Sequence, residues 1–152
     1  MAAGSLILFS ANKADFRVND IVGASVKLAL IASTYTPDAT VTGHTLFSSA
    51  SANEIANGNG YTTGGVALAT LAATSITGGY KFTSGNASWT AAGGNIPAWR
   101  YGLLYISGTL WGKVNPLIGY FLGDSTPADI PTTTSGNTLT ISVPAGGWFD
   151  IT

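Results

Sequence analysis

The chain is 152 residues long, with 45% hydrophobic residues and only 9% charged ones, against roughly 25% charged in an ordinary soluble domain. Six Lys and Arg against seven Asp and Glu leave a net charge of −1. With no basic stripe, nucleic acid is not an expected partner, because phosphate neutralisation needs clustered cations. There is no Cys and a single His, His44, which excludes disulfides, thiolate metal sites, thiol nucleophiles and multi-histidine metal centres.

The place of the missing charges is taken by Gly, Ser, Thr and Asn, roughly two-fifths of the chain. Four Trp, six Tyr and six Phe supply a core, which separates the chain from disordered sequences. A surface of small neutral polar groups lacks the charge that keeps proteins apart. It suits a component packed beside copies of itself in a larger assembly. The run Leu6-Ile7-Leu8-Phe9 follows no basic segment, so a secretory signal is not expected. No stretch approaches the ~20 apolar residues of a membrane helix, and neither a membrane partner nor a cofactor is expected.

Short apolar runs rich in Val, Ile, Thr and aromatics, separated by Gly, Asn and Pro clusters, read as strands. In chain order they are Ser5–Ser10, Ser25–Ile31, Thr45–Ser49, Val66–Leu71, Ser75–Thr83, Ala87–Thr90, Trp99–Ser107, Leu117–Leu122, Thr138–Val143 and Trp148–Ile151. Two short helical stretches fit at Ala14–Val22 and Ala50–Ala56. Residues 1–12 read as a strand-like extension and 13–152 as a single domain. Leu139, Ile141 and Val143 alternate with Thr138, Thr140 and Ser142, and Val26, Leu28 and Leu30 lie opposite Lys27. Strands of this kind have one buried and one wet face. Tyr101–Ile106 is apolar on both faces and predicts a central, doubly covered strand. The fold expected is all-β with little helix: an antiparallel sandwich, of which the jelly roll is one form.

Catalytic chemistry finds little purchase. A Ser-His-Asp triad would need His44, and no Gly-x-Ser-x-Gly elbow is present. The acids Asp15, Asp20, Asp38, Glu54, Asp124, Asp129 and Asp150 are sparse and sit mostly where turns use Asp for backbone bonding. The stretch from Gly58 to Gly65 lacks the Lys-Ser/Thr ending of a phosphate loop and reads as a turn whose glycines take positive φ. No catalytic, cofactor or metal residue is assigned.

Contacts with partners are a better prospect. Leu6, Ile7, Leu8 and Phe9 can form the first strand of their own sandwich or add a strand to a neighbour. Trp99 and Trp111 flank the central strand and are candidate interface or carbohydrate contacts. The stretch Asp124–Thr134 holds Pro127, Ile130 and Pro131. Its two prolines predict a surface loop without ladder pairing.

Several segments together resemble a family of small tailed-bacteriophage virion proteins. Val26-Lys27-Leu28-Ala29-Leu30-Ile31 leading to Tyr35-Thr36-Pro37-Asp38 is similar to the family's I-K-V-A-L-V … Y-T-P strand. Ser51-Ala52-Asn53-Glu54-Ile55 through Gly60-Tyr61-Thr62-Thr63-Gly64-Gly65-Val66-Ala67-Leu68 is similar to its most specific segment, N-E-V-x-G-x-G-Y-T-x-G-G-x-x-L. Pro116-Leu117-Ile118-Gly119-Tyr120 resembles its P-L-I-x-Y strand, and Gly146-Gly147-Trp148-Phe149-Asp150-Ile151 its ending. The resemblance spans residues 26–152. It departs at the N-terminus, where the family has a short helical stretch and this chain a hydrophobic one.

What the resemblance implies is a virion structural protein without enzymatic activity, made in a bacterial host's cytoplasm. Its partners would be the major capsid protein or neck and tail proteins, together with copies of itself. A capsid decoration or cement role is the leading expectation. A collar, tail or fibre accessory and a carbohydrate-binding module are the alternatives.

Overall fold

The computed structural model describes residues 1–126 and 128–152. The strands are β1 (Ile7–Leu8), β2 (Val26–Ile31), β3 (Val66–Ala67), β4 (Ala72–Ile76), β5 (Gly79–Thr83), β6 (Ala87–Thr90), β7 (Tyr101–Ile106), β8 (Thr109–Leu110), β9 (Lys113–Val114), β10 (Leu117–Leu122), β11 (Thr138–Ile141) and β12 (Phe149–Ile151). Helix is confined to a 3-10 turn at Ser10–Asp15 and two short pieces, α1 (Val18–Val22) and α2 (Ser48–Ser51). Among the described residues, no helix is long and apolar enough to cross a membrane.

The protein is all-β. One antiparallel sheet runs in the order β1-β10-β7-β2-β3. A three-stranded sheet, β12-β5-β4, and a pair, β11-β6, form the opposing layer, and β8-β9 is a separate hairpin. Between the layers lies the main core, built from Val26, Leu28, Leu30, Leu104, Ile118 and Phe121 on one side and Phe82, Trp89, Ile141, Trp148 and Phe149 on the other. This is a sandwich packing, with side chains of alternate strand positions meeting between two sheets.

The outer face of the large sheet is buried as well. Ala29, Ile31, Leu103, Tyr105 and Leu117 form a second cluster, closed by Phe9, Tyr35, Phe47 and Ala50. The two-sided burial expected of Tyr101–Ile106 is therefore present. It extends to β2, where the sequence pattern suggested a wet face. Ala29 and Ile31 are fully buried because residues 32–50 fold across them, and Phe47 stacks on Tyr105 with ring centroids 4.0 Å apart.

Other expectations shift for local reasons. The run Ser75–Thr83 is not one strand but the end of β4, a turn and β5, because Gly78, at φ 82°, reverses the chain between them. Thr45–Ser49 holds only a single bridge, Leu46 to Pro116, before α2 begins, since seating Phe47 on Tyr105 takes the chain out of the sheet. The hairpin β8-β9 was not foreseen. Its two central residues, Trp111 (φ 54°) and Gly112 (φ 70°), both have positive φ, the requirement of a type I′ turn. A left-handed Trp is strained. Its ring stacks on Phe16 at 5.4 Å and its Nε1–H donates to Asp20 Oδ2 at 3.2 Å.

Gly102 on β7 shows how closely the core is fitted. A Cβ there would lie 2.1 Å from Phe121 Cζ. That ring is held edge-on by Trp99 and stacked by Trp148, so it has nowhere to retreat. Gly102→Ala is expected to destabilise the fold by about 1–3 kcal/mol, the usual cost of overpacking, read as a lowered urea midpoint with an unchanged slope.

Candidate interaction surface

The segment before residue 10 runs along the edges of both layers. Ala2 bridges Ser142 in parallel, with Ala3 N–H donating to Ser142 O (3.1 Å) and Ser142 N–H to Met1 O (2.7 Å). Ile7 and Leu8 then pair antiparallel with Tyr120 and Gly119, and Phe9 N–H donates to Ile118 O at 3.1 Å. The reading of Leu6–Phe9 as a first strand of its own sandwich matches this path. Leu6 and Leu8 pack against the main core, Phe9 is fully buried in the outer cluster, and Ile7 remains 44% exposed.

The chain's turn into the domain is fixed by Asn12, the one polar side chain among the described residues that is wholly buried. Its Nδ2 donates to Thr45 O (2.7 Å) and Leu117 O (2.9 Å). Two clefts flank the segment. One, of about 480 Å³, lies between Ala2, Gly4, Ser5 and Ile7 and the chain at Leu122–Gly123. The other, of about 260 Å³, lies between Ser5 and Leu6 and the turn leading to Trp148 and Phe149.

The other candidates fall elsewhere. Trp99 is 1% exposed, and a ring sealed in this way presents no face to a sugar or partner. Trp111 is half-buried at the β8-β9 turn. The stretch 124–134 is not free of pairing. Trp99 exchanges both backbone bonds with Ile130, at 3.2 and 2.7 Å, and Ile96 does so with Thr133, at 3.0 and 3.1 Å. Pro131 falls between these two bonded pairs, where no N–H is needed, so the proline does not prevent the ladder. Ile130 is half-buried against Trp99 and Gly123, and Pro131 is exposed. Pro127 lies outside the described residues. Arg100 pairs with Asp129 at 2.8 Å and anchors the stretch further.

The acids and the single His are mostly taken up by the protein itself. Asp38 receives the Thr40 hydroxyl and backbone N–H, and Asp124 those of Thr126. In each case these bonds hold the carboxyl below the usual carboxylate range. Asp15 pairs with Lys113. His44 Nδ1 lies 2.9 Å from Tyr35 Oη, and the ring stacks on Tyr35, so this His ties down its loop. On the outer face of β6 and β11 even the hydroxyls pair across the strands, Ser88 with Thr140 (3.0 Å) and Thr90 with Thr138 (2.9 Å).

The residue that sequence reasoning passed over is Glu54. Its Oε1 accepts from Tyr61 Oη–H (2.5 Å) and from Gly64 N–H (2.7 Å), and Tyr61 Oη in turn accepts from Leu30 N–H (3.0 Å). Tyr105 Oη–H donates to Gly64 O at 2.7 Å. Together these bonds clamp the glycine-rich loop onto β2 and β7. The glycines of this loop do take positive φ, and Gly65 (φ 72°) sits where a Cβ would be 2.0 Å from Leu28 O. An acid beside an apolar Ile55, a few residues before Tyr61 and Gly64, was the available signal.

No protein-family model, curated protein or solved structure matches the chain.

Removing the Glu54 carboxylate leaves two donors in a largely closed site without acceptors. Each unsatisfied buried donor costs about 1–3 kcal/mol. Glu54→Ala is expected to lose about 2–4 kcal/mol in urea unfolding. Glu54→Gln retains an acceptor oxygen for both donors and should lose distinctly less.

Burial pushes the phenols of Tyr35, Tyr61 and Tyr120 up, and that of Tyr105 up to about 12. A phenol that stays neutral when folded, at a pH where the unfolded chain ionises it, favours unfolding as pH rises. The stability tied to these groups is complete below about pH 10, the ordinary phenol value, and is lost as pH climbs from there through about 12. Urea midpoints should hold steady up to about pH 9 and fall steeply beyond about pH 10. Tyr105→Phe should make that fall shallower.

Proposed function

We propose that this chain is a structural component of a tailed-bacteriophage particle, which binds the assembled shell as a decoration or cement protein and has no catalytic role. The observation that carries this reading is the character of the surface. Charges are scarce, and most of the acids are engaged within the molecule, as at Arg100–Asp129 and Lys113–Asp15. The exposed positions are dominated by Thr, Ser, Asn, Gly and Ala. A surface of this kind binds through shape, apolar contact and hydroxyl hydrogen bonds repeated over many symmetric sites. The similarity of residues 26–152 to small virion proteins supports the same reading, and the clamp around Glu54 gives its most specific segment a physical role.

In this proposal the protein binds the assembled shell and not its free subunits, and so stabilises the shell by mass action. Contacts without ion pairs depend weakly on salt. The protein should stay on particles washed at about 1 M salt, where the Debye length is about 3 Å. Quantitative mass spectrometry of washed virions is the test. A copy number comparable to that of the main shell protein is expected. A handful of copies per particle would overturn the shell role in favour of the neck or tail. Absence from washed particles would overturn the virion reading as a whole.

A further inference from the structure

We propose that the groove along the outer edge of β10 and the end of β11 is a strand-acceptor site whose partner is residues 1–9 of a second copy of this chain. Exchange needs only that second copy, whatever larger assembly the protein joins.

The groove is cut to this segment's own sequence. Gly119 on β10 leaves a slot that Leu6 fills, since a Cβ there would meet Leu6 Cγ at 2.8 Å and Ile7 O at 2.9 Å. Conversely, Gly4 lets the segment lie against β10, since a Cβ there would meet Leu122 O at 2.8 Å. Knob and slot together fix the register of Ile7 on Tyr120 and Leu8 on Gly119. Phe9 then enters the outer cluster, fully buried. An empty groove would uncover the seats of Phe9, Leu6 and Leu8 and leave two sheet edges open, so the favoured state is an occupied one.

The manner of occupation leaves the donor free to change. β1 is the outermost strand of its sheet, and Ala2 lies beside Ser142 at the end of β11. Neither contact passes beneath another strand, so the segment can leave without opening either sheet. Open clefts of about 260 and 480 Å³ lie along its flanks. Ile7 and Met1, at 44% and 42%, are two of the few large apolar side chains left exposed.

The pivot is equally defined. Asn12 is held by Thr45 O and Leu117 O, so the change of direction falls on Ser10 and Ala11 at the start of the 3-10 turn, where only the bonds from Ser10 N–H to Ala39 O (3.1 Å) and from Asn12 N–H to Phe9 O (3.0 Å) are disturbed. A segment swung over to a neighbour makes the same contacts there as at home. The balance between the two arrangements is then set by association cost and concentration. Copies crowded side by side raise the effective concentration toward the millimolar range and favour the exchanged form.

The chain has no Cys, which permits a direct test. Two single variants, Ile7→Cys and Tyr120→Cys, are mixed, concentrated, oxidised and separated without reductant. A disulfide joining positions 7 and 120 of different molecules can form readily only if one copy's segment lies on the other's β10. The expected result is a mixed dimer several-fold more abundant than either homodimer. It should rise with concentration and fall when excess synthetic peptide of residues 1–9 is added. A mixed dimer no more abundant than the collisional homodimers at every concentration would overturn the proposal.

If either variant fails to fold, tagged and untagged wild-type protein are concentrated together, diluted and captured by the tag. Retention of the untagged copy is expected, with loss of that retention for Gly119→Leu, which fills the slot. Retention that survives Gly119→Leu, or no retention at all, would overturn the proposal.

Discussion

Two strands at the centre of this fold, β2 and β7, are buried on both faces, and the remaining architecture is arranged around that fact. Their pairing from Val26↔Ile106 to Ile31↔Tyr101 makes a ribbon that must be covered twice. A sheet with one wet face needs a single opposing layer. This one needs the layer of β5, β6, β11 and β12 on one side and a second cover on the other. The second cover is not a sheet. It is the long connection of residues 32–50, whose Tyr35, Phe47 and Ala50 close over Ala29, Ile31 and Leu103.

A cover made of irregular chain carries backbone groups that cannot pair in a ladder, and it is held by specific side chains instead. Asn12 ties the segment near Thr45 to β10, and the stacked pair of Tyr35 and His44 secures the loop around Asp38. Past α2, Glu54 fastens the glycine-rich loop to β2 through Tyr61. In a chain with so little charge, the polar groups that remain are used as internal fasteners. This leaves most of the outside to hydroxyls and methyl groups, with Lys13, Arg17 and Asp150 among the few exposed charges.

What could be read from the sequence follows from the same physics. The strands that alternate, or are continuously apolar, stand out: β2, β6, β7, β10 and β11 lie where period-two patterning puts them. Asn12 was not legible, because it acts on backbone groups remote in sequence and fits no motif, and the segment that holds Glu54 stood out without showing that its carboxylate fastens Tyr61 and Gly64. Trp99 looked like a contact residue because aromatic richness does not tell an inward ring from an outward one. Pro131 looked like a barrier to pairing because its tolerance depends on which side of the ladder it faces. The β8-β9 hairpin escaped notice because its turn places a Trp where a small residue is the rule.

The seam between Met1–Phe9 and residues 118–142 also sets an order of events during synthesis. Residues 1–9 leave the ribosome well before their partners Gly119, Tyr120 and Ser142. At roughly 5–20 residues per second, the apolar run Leu6–Phe9 waits several seconds or longer without its groove. Nascent chains on one messenger travel close together through that interval, each with an unhoused strand. Residues 1–9 and the strands at 118–142 thus join in one late closing step, and the earlier-made partner is the one that waits for shelter.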